Sequence, residues 1–163
     1  MEAAKLIRYV HASRRRYLQT LKELHWEEVV KDRGASFSSI RDILLHALNI
    51  EDRMINYIAT GKVQEWVQGD VGNFVDFSSI EKRVNEVEGK VDAYLKKLSE
   101  RELARDVVVP RRRGPPSTMT VEDLLVQVAI ENIAHMGEFI AILWRIDERP
   151  PFMSWSNFLE EGT

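Results

Sequence analysis

The sequence contains no cysteine, and this absence narrows the chemistry open to the chain. It excludes disulfides, cysteine nucleophiles, iron–sulfur clusters and zinc sites built on thiolates. Any metal ion must therefore be held by histidine, aspartate, glutamate or backbone oxygen. Only four of the 163 residues are histidine, and they are His11, His25, His46 and His135.

The chain also lacks a strong excess of charge of either sign, because it has 23 Lys and Arg and 26 Asp and Glu. The net charge of −3 provides no general attraction to nucleic acid or to an anionic membrane. The first residues do not resemble a signal peptide, and no apolar run is long enough to span a membrane. We therefore expect a cytoplasmic protein with no nucleic-acid partner and no membrane partner.

Sustained alternation of polar and apolar residues is absent, whereas helical periodicity runs through most of the chain. We predict an all-α fold, a four-helix bundle with long crossover connections, as a single domain over residues 1–163 with a short C-terminal aromatic tail. The connections 61–78 and 99–119 are longer than simple bundle loops. The first helix is predicted over residues 2–29, and the second from a cap at Ser38 or Ser39 to Gly61. The third is predicted to begin at a capping box of Ser78 with Glu81. The fourth is predicted to begin at a cap of Thr120 with Asp123 and to end at about Ile146, before Pro150 and Pro151.

Two arginine runs and one histidine are given structural rather than functional interpretations. Residues 107–110 indicate an extended segment, and Arg111, Arg112 and Arg113 after it are interpreted as a solvated basic turn rather than a phosphate contact. The run Arg14 to Arg16 points in three directions around a helix, so it forms no single basic face. His25 is interpreted as a cation at the end of the first helix.

The fourth predicted helix has two titratable residues in the middle of its apolar stripe. Glu131 and His135 stand there, four residues apart, and in the second helix His46 lies between Ile43 and Ile50 on the apolar face. A buried carboxylate or imidazole without partners costs several kcal/mol. The stripe of the fourth helix is Leu124, Val128, Glu131, His135, Phe139, Ile142 and Ile146.

Two interpretations of this pattern remain open on spacing alone. One is a divalent metal site, because side chains four residues apart can reach the same ion and a third ligand can come from a facing helix. Two imidazoles and one carboxylate are typical of catalytic sites that keep a position for water. The other is a buried polar layer, with Glu131 and His135 as an ion pair and His46 bonded to a carbonyl or a water.

Two segments resemble the signatures of the DinB/YfiT-like superfamily of metal-dependent enzymes. The segment from Glu131 to Asp147 is similar to its last-helix signature, and the segment from Ile43 to Glu51 is similar to its other one. The resemblance implies a four-helix bundle in which His46, Glu131 and His135 hold a divalent metal ion. Many members have His where this chain has Glu131, and the residue after the last ligand is usually Arg rather than Met136.

The resemblance also implies an activity. We expect a metal-dependent thiol S-transferase or hydrolase that uses Zn²⁺ or Ni²⁺, with Mn²⁺ or Fe²⁺ as further candidates, and a small-molecule substrate such as a low-molecular-weight thiol. The sequence identifies no general base, and Glu51 and Glu138 are predicted to orient the ligands. The alternative is a non-catalytic, stress-associated bundle for binding or dimerisation, with a structural or vacant metal site. A homodimer is expected in either case, through apolar surface at Trp66, Phe74, Phe77 and the aromatic tail.

Overall fold

Helices make up most of the computed structural model, which describes residues 2–63, 71–111, 113–152 and 154–161. The predicted all-α class is confirmed, with one small hairpin added. Helix α6 packs against α1 and α3, and α4 packs against α3 and α1, so the apolar core lies among these four long helices. The elements are α1 (Glu2–Lys22), α2 (Trp26–Val30), α3 (Ile40–Thr60), α4 (Phe77–Leu95), α5 (Glu100–Leu103), β1 (Asp106–Val109), β2 (Ser117–Thr120), α6 (Val121–Arg145) and α7 (Trp155–Glu160).

Local capping chemistry explains where α3 and α6 begin and where α3 ends. The Ser39 hydroxyl accepts a hydrogen bond from the Asp42 backbone N–H at 3.2 Å, and Gly61 ends α3 with a φ of 69°. Thr120 and Asp123 form a reciprocal capping box at the start of α6. These predicted ends are confirmed.

Two predicted helix boundaries are wrong. The first helix does not run to residue 29 but ends at Lys22, and His25 precedes the separate helix α2 instead of lying at a helix C-terminus. The break allows the Trp26 ring to pack edge-on against Phe77, with their centroids 5.2 Å apart. The cap of α4 is Asp76 with Ser79, two residues earlier than the predicted pair Ser78 and Glu81.

The predicted extended segment forms a strand of a small antiparallel hairpin. Strand β1 pairs with β2, with Val107 opposite Met119, and β2 leads directly into α6. The Tyr57 hydroxyl donates to the Val108 carbonyl at 2.5 Å, and the Arg105 guanidinium donates to the Ile58 carbonyl at 2.7 Å. The hairpin is therefore fixed to the C-terminal part of α3. Arg112 of the predicted basic turn lies outside the described residues.

The aromatic residues expected to support a dimer differ in their exposure. Phe74 and Phe77 are half-buried and pack against the core, and Trp66 lies outside the described residues. In the tail, Phe158 is buried beside Tyr9, with ring centroids 5.6 Å apart, whereas Phe152 is 76% exposed.

Helix α6 differs from the other long helices in its hydrophobicity. By length and composition alone it could cross a membrane, which the sequence analysis did not expect of any segment. Its buried face packs in the core against α1 and α3. This packing accounts for the apolar residues on the buried face of α6.

Candidate metal centre

The structure brings His46 of α3 and His135 of α6 together. Their ring centroids are 5.1 Å apart and their planes are inclined by 82°. His135 is buried and His46 is half-buried. The contact follows from the packing of α3 against α6, which places the mid-helix residues of both at the same level of the core. Two imidazoles from different helices thus share one site.

The geometry of this pair can be compared with that of a metal complex. Two imidazoles bound to one ion through Zn–N bonds of about 2.0–2.1 Å, at a tetrahedral angle, have ring centroids about 5 Å apart. The observed separation of His46 and His135 fits that value. The separation of the two rings is therefore compatible with two nitrogen ligands for one ion.

Glu131 lies near the imidazole pair but is turned aside. It is half-buried on α6, one turn before His135, and its Oε1 accepts a hydrogen bond from Gln127 Nε2 at 3.0 Å. Its negative charge acts to raise the pKa of His46, which shows that it belongs to the same electrostatic environment. Among the described residues, no three histidine or acidic side chains are gathered closely enough to hold a metal ion.

Glu138 fixes the ring of His135. Its Oε2 lies 2.6 Å from His135 Nδ1, and its Oε1 accepts a hydrogen bond from the Ser36 N–H at 3.2 Å. Burial raises the pKa of Glu138, but the bonds from Ser36 and His135 outweigh it and hold the pKa below its ordinary value. An ionised carboxylate can only accept, so Nδ1 carries a proton, and the neutral form of this ring has its lone pair on Nε2, where a cation can bind.

The imidazole pair is covered by Phe37 from the loop between α2 and α3. Its ring stacks on His46 with centroids 3.9 Å apart, and it lies 5.9 Å from the ring of His135. The bond from neighbouring Ser36 to Glu138 holds this loop against α6. Phe37 therefore forms an apolar wall on the loop side of both rings.

Burial and charge together set the protonation of His46. Burial lowers the pKa of His46, its neighbour His135 lowers it further, and Glu131 and Glu138 act in the opposite direction. The net shift is downward, so the ring is neutral at neutral pH. The neutral imidazole of His46 beside two carboxylates makes a site that favours a cation.

A cleft lies farther along α3 than the imidazole pair. Its volume is about 220 Å³, and Ile50, Met54 and Tyr57 of α3 face Val109 and Pro110 of the hairpin across it. Ile50, the lining residue nearest to His46 in sequence, lies one helical turn after it. Its mainly apolar lining, with Arg53 among its residues, is suited to a small organic molecule.

Glu51 belongs to a different cluster. It is completely buried, and its carboxylate contacts Arg14 Nη2 and lies 2.5 Å from His11 Nε2. Arg14 also donates to Glu88 Oε1 at 3.0 Å and to Asn132 Oδ1 at 2.8 Å. This group of His11, Arg14, Glu51, Glu88 and Asn132, here called the arginine network, joins all four long helices.

The sequence analysis missed the arginine network, although the signal was present. Arg14 stands in the middle of the apolar stripe of α1, between Val10 and Tyr17, just as Glu131 and His135 stand in the stripe of α6. The prediction that the arginine run points in three directions holds only in part, since Arg14 and Arg15 both reach Glu88 whereas Arg16 reaches Glu161.

The core face predicted for α3 was only partly correct, which hid Glu51. Ile43 of the predicted apolar face is buried, whereas Ile50 is half-buried and lines the cleft together with Met54 and Tyr57. The face that enters the core carries Glu51 in its middle. Its members are Leu44, Leu48, Glu51, Ile55 and Ile58.

Comparison with known protein families gives a match over most of the chain. A sequence model described as the DinB superfamily matches residues 9–139, a range that includes His46, Glu131 and His135. No curated protein matches the chain.

Proposed function

The chain belongs to the DinB superfamily, and on this premise we propose that it is a divalent-metal-dependent enzyme of the thiol S-transferase or hydrolase type. The observation that carries the proposal is the pair of imidazoles from α3 and α6, whose 5.1 Å centroid separation fits two ligands of one ion. His46, His135 and Glu131 hold the ion, with Zn²⁺ or Ni²⁺ preferred and Mn²⁺ or Fe²⁺ as alternatives.

Each side chain has a separate task in this proposal. His135 presents Nε2 because Glu138 holds the proton on Nδ1. Glu131 exchanges its hydrogen bond to Gln127 for the role of third ligand. Phe37 limits water on the loop side of the two rings, which strengthens electrostatic interactions within the site. The carboxylates of Glu131 and Glu138 balance the charge of the cation.

A divalent ion bound there would lower the pKa of a coordinated thiol or water and polarise an electrophile. The cleft between α3 and the hairpin receives the body of the substrate, because its lining residue Ile50 lies one helical turn after His46. The chain has no cysteine, so in a thiol transfer the sulfur nucleophile must be part of a substrate. A low-molecular-weight thiol is the substrate class that this reasoning favours.

Elemental analysis of protein purified without a metal-affinity tag tests the proposal. We expect close to one equivalent of metal per chain in the wild type, and a loss of metal in His46→Ala and His135→Ala while the helical circular dichroism is retained. His25→Ala is the matched control, because His25 is exposed and lies outside the site. A wild type that contains no metal and takes up none of the four ions would overturn the proposal.

Activity is tested with a panel of low-molecular-weight thiols and a chromogenic electrophile. We expect thiol-dependent turnover that requires the metal and disappears in His135→Ala. Hydrolysis of activated esters and amides by the same preparations distinguishes the hydrolase type from the transferase type.

The alternative is a non-catalytic bundle with a structural or vacant site. The observation that favours it is that, in the described parts of the chain, the donor atoms of Glu131 are not gathered with the two imidazoles. It predicts that His46→Ala and His135→Ala change the melting temperature but abolish no turnover. The two functions are thus separated by the same pair of variants.

A further inference from the structure

Helix α6 is apolar on its solvent face as well as on its buried face. Four large side chains there are strongly exposed, with exposed fractions of 53% for Ile130, 39% for Ile133, 40% for Ile140 and 61% for Trp144. No charged residue of α6 is exposed between Ile130 and Trp144. The residues of this surface, here called the outer stripe, are Ile130, Ile133, Ala134, Gly137, Ile140, Ala141 and Trp144.

The outer stripe is symmetric in position about Gly137. Its other members stand three, four and seven residues before and after that glycine, so each position has a counterpart. An antiparallel pair of α6 helices related by a two-fold axis at Gly137 would place counterpart positions opposite each other. We propose that the outer stripe is the surface through which two copies of this chain form a symmetric dimer.

The sizes of the counterpart side chains are complementary in this arrangement. Ile133 of one copy faces Ala141 of the other, and Ala134 faces Ile140. Large side chains opposite small ones allow two helices to interlock closely, which equal large pairs would prevent. The remaining pair joins Ile130 to Trp144 and extends the contact toward both ends of the stripe.

Gly137 has no role within its own chain that requires a glycine. A Cβ atom built on it would meet nothing within 4 Å, and glycine in the middle of a helix destabilises that helix relative to alanine. At the two-fold axis of an antiparallel pair, however, the two backbones approach most closely. The close approach of the two backbones explains why position 137 is a glycine.

Charge at the ends of α6 supports the antiparallel orientation. Glu122 and Asp123 are exposed at its start, and Arg145 is exposed at its end. Antiparallel pairing keeps the acidic starts of the two helices apart, whereas a parallel pair would place them side by side.

The apolar surface continues beyond the helix itself. A groove of about 420 Å³ lies between α1, α6 and the segment at Phe152, and it shares Ile133, Gly137 and Ile140 with the outer stripe. Phe152 at its edge is 76% exposed. The groove and Phe152 enlarge the surface that a second copy can cover beyond what one helix pair provides.

Engineered cysteines test the orientation, because the natural chain has none to interfere. The two-fold axis brings position 137 of both copies together, so mild oxidation should trap Gly137→Cys as a disulfide-linked dimer even though its side chain weakens the reversible contact. Trp144→Cys alone should stay unlinked, while a mixture of Trp144→Cys with Ile130→Cys should cross-link. Cross-linking of Trp144→Cys with itself and not at 137 would overturn the antiparallel dimer.

The oligomeric state of unmodified chains is tested by sedimentation and light scattering. The wild type should be a dimer, and Ile140→Lys should dissociate it by about tenfold or more in Kd with unchanged circular dichroism. Val108→Lys is the matched control, because Val108 is an exposed apolar residue on the hairpin, outside the outer stripe. A wild type that is monomeric at all concentrations, or an Ile140→Lys variant that is still fully dimeric, would overturn the proposal.

Two glycine variants separate the dimer from helix stability. Gly137→Ala and Gly89→Ala both replace an exposed mid-helix glycine with open space around it, so both should raise the stability of the single chain. Only Gly137→Ala should also weaken dimerisation. Sedimentation of a monomeric wild type with anionic lipid vesicles would identify a membrane surface instead, and would overturn the dimer.

Discussion

The core contains two polar clusters that differ in how their charges are balanced. In the arginine network, the guanidinium of Arg14 lies between the carboxylates of Glu51 and Glu88, and Arg15 adds a second cation. In the imidazole site, Glu131 and Glu138 lie beside two histidine rings. Among the described residues, neither of these carboxylates forms an ion pair with lysine or arginine.

This difference separates a structural role from a functional one. The arginine network is satisfied by the protein's own groups, so its role is to fix how α1, α3, α4 and α6 pack. The imidazole site lacks positive charge of its own, and a bound cation would complete it. Variants of the first cluster should therefore change stability, and variants of the second should change metal binding.

The largest expected effect is the removal of the cation at the centre of the arginine network. Arg14→Met would leave Glu51 and Glu88 buried without their shared partner, which should lower the free energy of unfolding by about 3–5 kcal/mol. Denaturation by urea measures it. Arg15→Met is the control, because its side chain is 54% exposed and its loss should cost about 1 kcal/mol or less. Equal losses in the two variants would contradict the central place of Arg14.

Acid should unfold the protein through the arginine network. Burial alone would raise the pKa of Glu51, but the charge of Arg14 and the bond from His11 lower it from 4.5 to about 2. The ionised carboxylate therefore stabilises the folded state above pH 4.5, and this contribution is lost as the pH falls from 4.5 to about 2. The loss should amount to about 3 kcal/mol.

Urea denaturation at a series of pH values measures this contribution. The free energy of unfolding of the wild type should fall steeply over that range, and Glu51→Gln should remove most of the slope. Parallel slopes in the two proteins would show that another group is responsible.

Metal should stabilise the wild type through the imidazole site alone. At a free Zn²⁺ or Ni²⁺ concentration 100 times Kd, the free energy of unfolding should rise by about 2.7 kcal/mol. The increase should vanish in His46→Ala and His135→Ala and persist in His25→Ala. Thermal denaturation with and without metal provides the measurement, and an equal increase in all four proteins would mean that the metal binds elsewhere.

The smallest effect distinguishes two glutamates that the sequence placed in the same role. Glu138→Gln should weaken metal binding by about 10- to 100-fold, because the amide cannot hold the proton on His135 Nδ1 as the carboxylate does. Glu51→Gln should leave the affinity of the folded protein unchanged, since Glu51 contacts Arg14 and His11. Isothermal titration calorimetry at neutral pH compares the two variants. An equal loss of metal affinity in both would show that Glu51 and Glu138 act on the same metal site.

Sequence patterns predicted the features that depend on neighbouring residues. The caps at Ser39 and Thr120 and the end at Gly61 follow from local chemistry. The imidazole pair was predicted because His46 and His135 interrupt apolar stripes. Polar residues in such stripes are informative since they must find partners across the core.

Features that depend on distant contacts were not predicted. The break after Lys22 contains no glycine or proline and follows from the packing of Trp26 on Phe77, more than fifty residues away. Strand β2 exists only through its pairing with β1. The core face of α3 was only partly predicted because apolar residues surround most of that helix, so periodicity alone could not select Glu51 as buried.

The hairpin determines the alignment of the two helices that carry the imidazoles. It is bonded to α3 through Tyr57 and Arg105, and its second strand continues into α6 without an intervening residue. The hairpin thus fixes the position of α6 along the axis of α3. A slip of one residue in β2 would rotate α6 by about 100° and turn His135 away from His46. The small sheet therefore keeps the two imidazoles in contact, although neither histidine belongs to it.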